Sequence, residues 1–106
     1  TLEALKTAIK SPINIMEEAK IGLELVARAG KHCKGHLLSD LLVVCELLRA
    51  AVDGNLRIAQ ANLGVMGEPS TRSYYQDMLN QVQAESRELF RSVEGDILER
   101  AKISKE

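Results

Sequence analysis

Aromatic residues are scarce in this chain: two Tyr, one Phe and no Trp among 106 residues. Leu, Ala, Glu, Lys and Arg are abundant instead, a mix that suits helices because straight-chain side chains lose little freedom there. A basic excess is also missing. Fourteen Lys and Arg against fifteen Asp and Glu leave a net charge of −1, whereas a chain that neutralises phosphates carries surplus cations. Nucleic acid is therefore not an expected partner. The most apolar run, Leu37 to Val52, is broken by Asp40, Glu46 and Arg49, too short and too charged for a bilayer. No membrane partner is expected either. Only Cys33 and Cys45 occur, and with no basic-then-apolar leader in view the expected setting is the reducing cytoplasm. No glycine-rich phosphate loop and no nucleophile elbow can be found.

What is present is globular in character, with 45% apolar and 27% charged residues. The length suffices for one domain. The chain starts at Thr1 with a helical pattern at once, so the expectation is either one helical domain over 1–106 or the C-terminal half of a larger one.

Three helical stretches stand out. The first covers Leu2 to Ala29, and Ser11-Pro12 predicts a kink or fresh helix start there, because proline lacks the backbone donor and crowds the preceding turn. Ser11 would cap the second piece. Ile13, Met16, Ala19, Leu23, Val26 and Ala27 form one apolar face. Gly30 is the expected stop, through a left-handed conformation. The second helix is expected from Leu38 or Ser39 to about Leu63, with Ser39 as cap and Asp40 in the first turn. From Leu41 to Val52 it has almost no polar face. A helix apolar nearly all round needs burial nearly all round, more than two companions supply. Gly64, Gly67 and Pro69 mark a turn. The third helix should run from Pro69 or Thr71 to Ala101, with Tyr75, Met78, Leu79, Val82, Leu89, Phe90, Val93, Ile97 and Leu98 as its stripe and Lys102–Glu106 as a fraying tail. The fold class is all-α: an antiparallel bundle of three long helices, the first kinked at Pro12, completed by missing chain or by oligomerisation.

His32, Cys33 and His36 are metal-capable types, but structural zinc needs four ligands and no second cluster supplies the rest. A solvated turn is expected, and no metal. Asp40 is a candidate ligand-binding or proton-transferring carboxylate beside apolar sequence, or a helix-start carboxylate held by backbone donors. Arg57 and Asn62, in a polar run with Asn55 and Gln60, would line a polar ligand site, or simply mark the exposed end of the helix. Of Tyr74 and Tyr75, one ring should face the core and the other outward.

The order of several short motifs resembles the formiminotransferase-cyclodeaminase family. Ala8-Ile9-Lys10-Ser11-Pro12-Ile13 is similar to its alanine-to-proline entry into a long helix. Ser39-Asp40-Leu41 with Val43-Val44 resembles its serine-aspartate helix start. Gly54 and Ala61-Asn62-Leu63 resemble its small residue and closing asparagine-leucine pair, and Gly67-Glu68 its acidic turn. The likeness spans Ala8 to Ala101. The chain departs from the pattern at Ile58 and at Cys33-Lys34, and lacks the glycine-glycine-glycine-serine motif of the family's N-terminal half. The resemblance implies an all-helical homo-oligomer, dimeric or larger. Its substrate would be a tetrahydrofolate derivative, handled as a formimidoyltetrahydrofolate cyclodeaminase or a methenyltetrahydrofolate cyclohydrolase. On that reading Asp40 is the carboxylate nearest the ligand, with Asn62 and Arg57 as polar supports. The contrasting expectation is a non-catalytic helical assembly module or diverged subunit.

Overall fold

The computed structural model describes residues 1–105, with side chains through Lys102. Three α-helices follow one another: α1 Leu2–Gly30, α2 His36–Gly64 and α3 Pro69–Lys105. The fold class is all-α, as the periodicity predicts. Each helix packs on both others, and the rod measures 57 × 17 × 17 Å. Four cross-connections fix the topology. A Cβ added to Gly22 would meet Leu48 at 3.2 Å, and the Asn62 amide reaches the Ala8 carbonyl, so α2 runs antiparallel to α1. Lys20 meets Glu85, and Gly30 approaches Ile97, so α3 returns parallel to α1. The core is a single column that includes Ile9, Met16, Leu23, Cys45, Val52, Ala59, Leu79, Val82 and Phe90.

The structure corrects several local expectations. Pro12 neither breaks α1 nor starts a new helix: it is buried inside a continuous helix capped by Thr1, whose side chain accepts from Ala4 N at 3.2 Å. Ser11 is an exposed mid-helix residue. The reason lies on α2. Proline at position 12 leaves the Ala8 carbonyl without its helical donor, and Asn62 Nδ2 donates to that oxygen at 3.2 Å while also donating to Ile58 O at 3.0 Å.

Gly30 ends α1, but not by a left-handed turn. The only positive-φ residue among those described is Gly35, at φ 60°. Gly30 is buried because α3 comes close: a Cβ there would lie 3.3 Å from Ile97 Cγ1. Gly35 then serves as the N-cap of α2, which begins at His36. Ser39 is therefore inside the helix rather than its cap, and Asp40 lies in the second turn rather than the first.

α3 starts at Pro69 as expected, and Glu68 explains how. Its carboxylate accepts from Thr71 N at 2.6 Å and from the Ser70 and Thr71 hydroxyls. These bonds hold the Glu68 carboxyl down at about 2. Arg72 Nε donates to Met66 O at 2.8 Å and closes the turn from the other side. The helix passes the expected end at Ala101 and continues to Lys105; Glu106 lies outside the described residues. Along the stripe Leu98 turns outward, 53% exposed, while Ser86 is fully buried and donates to Val82 O at 2.6 Å.

Candidate functional site

Burial divides α2 lengthwise. Leu38, Cys45, Val52, Leu56, Ala59 and Leu63 face the column formed with α1 and α3. The opposite face is open: Leu47 is 66% exposed, Val43 58% and Ile58 52%. Beside it on α1, Ile21 and Leu25 are 59% and 53% exposed. The two companions in this chain thus cover only one side of the apolar helix. This uncovered face carries or borders all three of the residues singled out from the sequence.

Asp40 is exposed near the N-terminal end of the face, and Arg57 is exposed toward its other end. At 1.5 Å per residue they stand about 25 Å apart along the axis, and Asn62 lies about 33 Å from Asp40. One copy does not bring Asp40 and Arg57 together around one small molecule. Asn62 is half-buried at the α1 boundary. Both amide hydrogens are taken by the carbonyls of Ala8 and Ile58, so its Oδ1 is the atom left to accept from a ligand.

Other clefts lie away from these residues. One of about 440 Å³ runs between α1 and α3, lined by Lys20, Glu24, Glu85, Glu88, Leu89 and Ser92. Its electrostatics serve the fold. Lys20 donates to Glu85 at 2.6 Å and to Glu17 at 3.4 Å. The bond to Glu85 raises the Lys20 ammonium and, in return, lowers the Glu85 carboxyl. A second cleft of about 240 Å³ is bordered by Lys6, Ser70, Thr71, Tyr74 and Tyr75. Tyr75 is buried and Tyr74 exposed, their rings edge to face at 5.1 Å. His32 and His36 are exposed around the α1–α2 turn, and among the described residues no three His, Cys, Asp or Glu side chains converge as a metal site. Among the described residues no helix is long and apolar enough to cross a membrane.

Two features escape inspection of the sequence. Arg49 pairs with Glu94 of α3 while its guanidinium lies 4.7 Å from the centre of the Phe90 ring, locking α2 to α3. The alternation of charges along α2 gives no sign of it. Gly54 sits in the middle of α2 with no atom within 4 Å of where its Cβ would be. A mid-helix glycine costs about 1 kcal/mol relative to alanine, and Gly95 inside α3 is open in the same way.

The sequence model of one family, described as formiminotransferase-cyclodeaminase, matches residues 1–84. No curated protein and no solved structure matches the chain. The family match takes in α1, the turn at Gly35, the whole of α2 with its open face, the Glu68 cap and the first half of α3. On that match, covering 84 of 106 residues, the chain belongs to the formiminotransferase-cyclodeaminase family.

Proposed function

We propose that the chain is the C-terminal part of a folate one-carbon enzyme of the cytoplasm, a formimidoyltetrahydrofolate cyclodeaminase or a methenyltetrahydrofolate cyclohydrolase. The observation that carries this reading is the family match over residues 1–84. In the first reaction a folate ring nitrogen adds to an amidine-like carbon and ammonia leaves. In the second, water attacks the methenyl carbon and one of that carbon's two C–N bonds breaks, leaving a formyl group on the other nitrogen. Both require a group that takes a proton from the attacking atom and one that delivers a proton to the departing nitrogen. Asp40 is assigned that transfer. Arg57 and the free Oδ1 of Asn62 are assigned to orient polar groups of the folate. The wide separation of Asp40 from the other two means that further protein must complete the site, either the family's glycine-rich half or another subunit. No metal is assigned a role.

A second reading, a non-catalytic assembly module, draws on the open apolar face of α2. Turnover of formimidoyl- and methenyl-tetrahydrofolate by the assembled protein separates the two. Conversion of either compound, lost in Asp40→Asn, is the result expected. An intact oligomer that neither turns over nor binds either folate sinks the enzyme reading.

A further inference from the structure

Pro12 on α1 and Asn62 on α2 act on one atom, the carbonyl oxygen of Ala8. Pro12 has no N–H to give it, and the proline ring crowds it as well. Asn62 Nδ2 donates to that oxygen at 3.2 Å and to Ile58 O at 3.0 Å. Both hydrogens of the amide are thereby spent. Turning the amide over would set Oδ1 against two carbonyl oxygens, so one orientation is favoured. No donor among the described residues reaches Oδ1, and no buried side-chain oxygen among them lacks a partner. Oδ1 therefore emerges at the surface. Asn62 carries both a donor and an acceptor, yet it presents only the acceptor.

We propose that Pro12 is a positioning residue that sets the polarity of the ligand site at Asn62: by freeing the Ala8 carbonyl it holds the Asn62 amide with its oxygen outward, so the group met there is an N–H donor. The inference deepens the folate reading and rests on it for the identity of the ligand. A tetrahydrofolate offers two unlike ends. Its pterin ring has N–H donors side by side, the amino group and the adjacent ring N–H, whereas its glutamate end carries carboxylates. Oδ1 accepts from the first and repels the second. The pterin edge is thus the part that faces Asn62. An asparagine with a free amide would serve either end, because it can turn to suit. Arg57 carries donors only, so the two residues of the site take opposite kinds of group.

Two measurements on the assembled protein test it. The first is solvent exchange of the asparagine side-chain amide hydrogens by NMR and needs no ligand. Asn62 donates twice, Asn55 once, to Ala51 O at 2.7 Å, and Asn14 and Asn80 not at all. Exchange should be slower at Asn62 than at Asn14 by at least about tenfold. In Pro12→Ala, which restores a helical N–H and removes a mid-helix proline, one Asn62 hydrogen loses that protection. Exchange at Asn62 unchanged by the substitution overturns the proposal. The second measurement is a double-mutant cycle on the dissociation constant of tetrahydrofolate. Pro12→Ala and Asn62→Ala each weaken binding by about three- to tenfold, and Pro12→Ala adds less than about twofold once residue 62 is alanine. Tetrahydropteroate, which lacks the glutamate, shows the same losses. Additive losses, no loss from Asn62→Ala, or a loss confined to the glutamate-bearing ligand each overturn it. A wild-type protein that binds neither compound refutes the enzyme reading, and with it the pterin contact, while the exchange rates decide the orientation of the amide separately.

Discussion

Asn62 is predicted to stabilise α1 only because Pro12 is there. The proline deprives the Ala8 carbonyl of its donor, and the Asn62 amide replaces it from the neighbouring helix. Replacing Asn62 with Ala strands a half-buried carbonyl, at a cost of about 1–2 kcal/mol. In a Pro12→Ala background the residue-12 N–H donates to Ala8, and the same Asn62→Ala change costs only about 0.5 kcal/mol, mostly its bond to Ile58. The double-mutant cycle should therefore show a coupling of about 1 kcal/mol between two side chains on different helices. With a urea slope of roughly 1–1.5 kcal/mol/M, that coupling moves the midpoint by just under about 1 M. All four proteins must be compared at one concentration, since self-association would add to apparent stability. An Asn62→Ala cost equal in both backgrounds, to within about 0.3 kcal/mol, refutes the compensation.

Three further outcomes follow from named contacts. Arg49→Met removes the pair with Glu94 and the cation over Phe90, costing about 1–2 kcal/mol in a denaturant melt; Glu94→Gln, which keeps an acceptor, should cost less than half of that, and equal losses would argue against the charge. Glu68 has its folded-state pKa lowered to about 2 by the Ser70 and Thr71 donors. Its stabilisation is therefore complete above the ordinary carboxyl range and disappears as pH falls from about 4.5 towards 2; a carboxyl NMR titration of Glu68 with a midpoint above about 4 would refute the cap. Cys45 is fully buried, and burial pushes its thiol up, whereas Cys33 is half-buried. A thiol reagent should label Cys33 in the native protein and Cys45 only on unfolding, and equal rates would contradict this core.

Helix number and both breaks were legible because the apolar stripes recur at helical spacing and Gly64, Gly67 and Pro69 punctuate the chain. Pro12 does not begin a new helix because its substitute donor comes from Asn62, fifty positions further along, and local rules see only neighbours. Gly30 stops α1 at the expected place for a different reason: room for Ile97, which only packing reveals. The start of α2 shifted because the positive φ of Gly35 sets it, ahead of the better-known capping chemistry of Ser39. Asp40, Arg57 and Asn62 could be placed on one helix from the sequence, but the rise of that helix, which separates them, was not weighed.

The backbone of the three helices extends over 57 × 17 × 17 Å, a slender rod along which α2 keeps one whole flank bare. The two clefts described above open on its surface, so a molecule held in either keeps one side in water. A ligand seated on the bare flank of α2 would be sealed from water only by a second protein surface, and its binding would then be coupled to assembly.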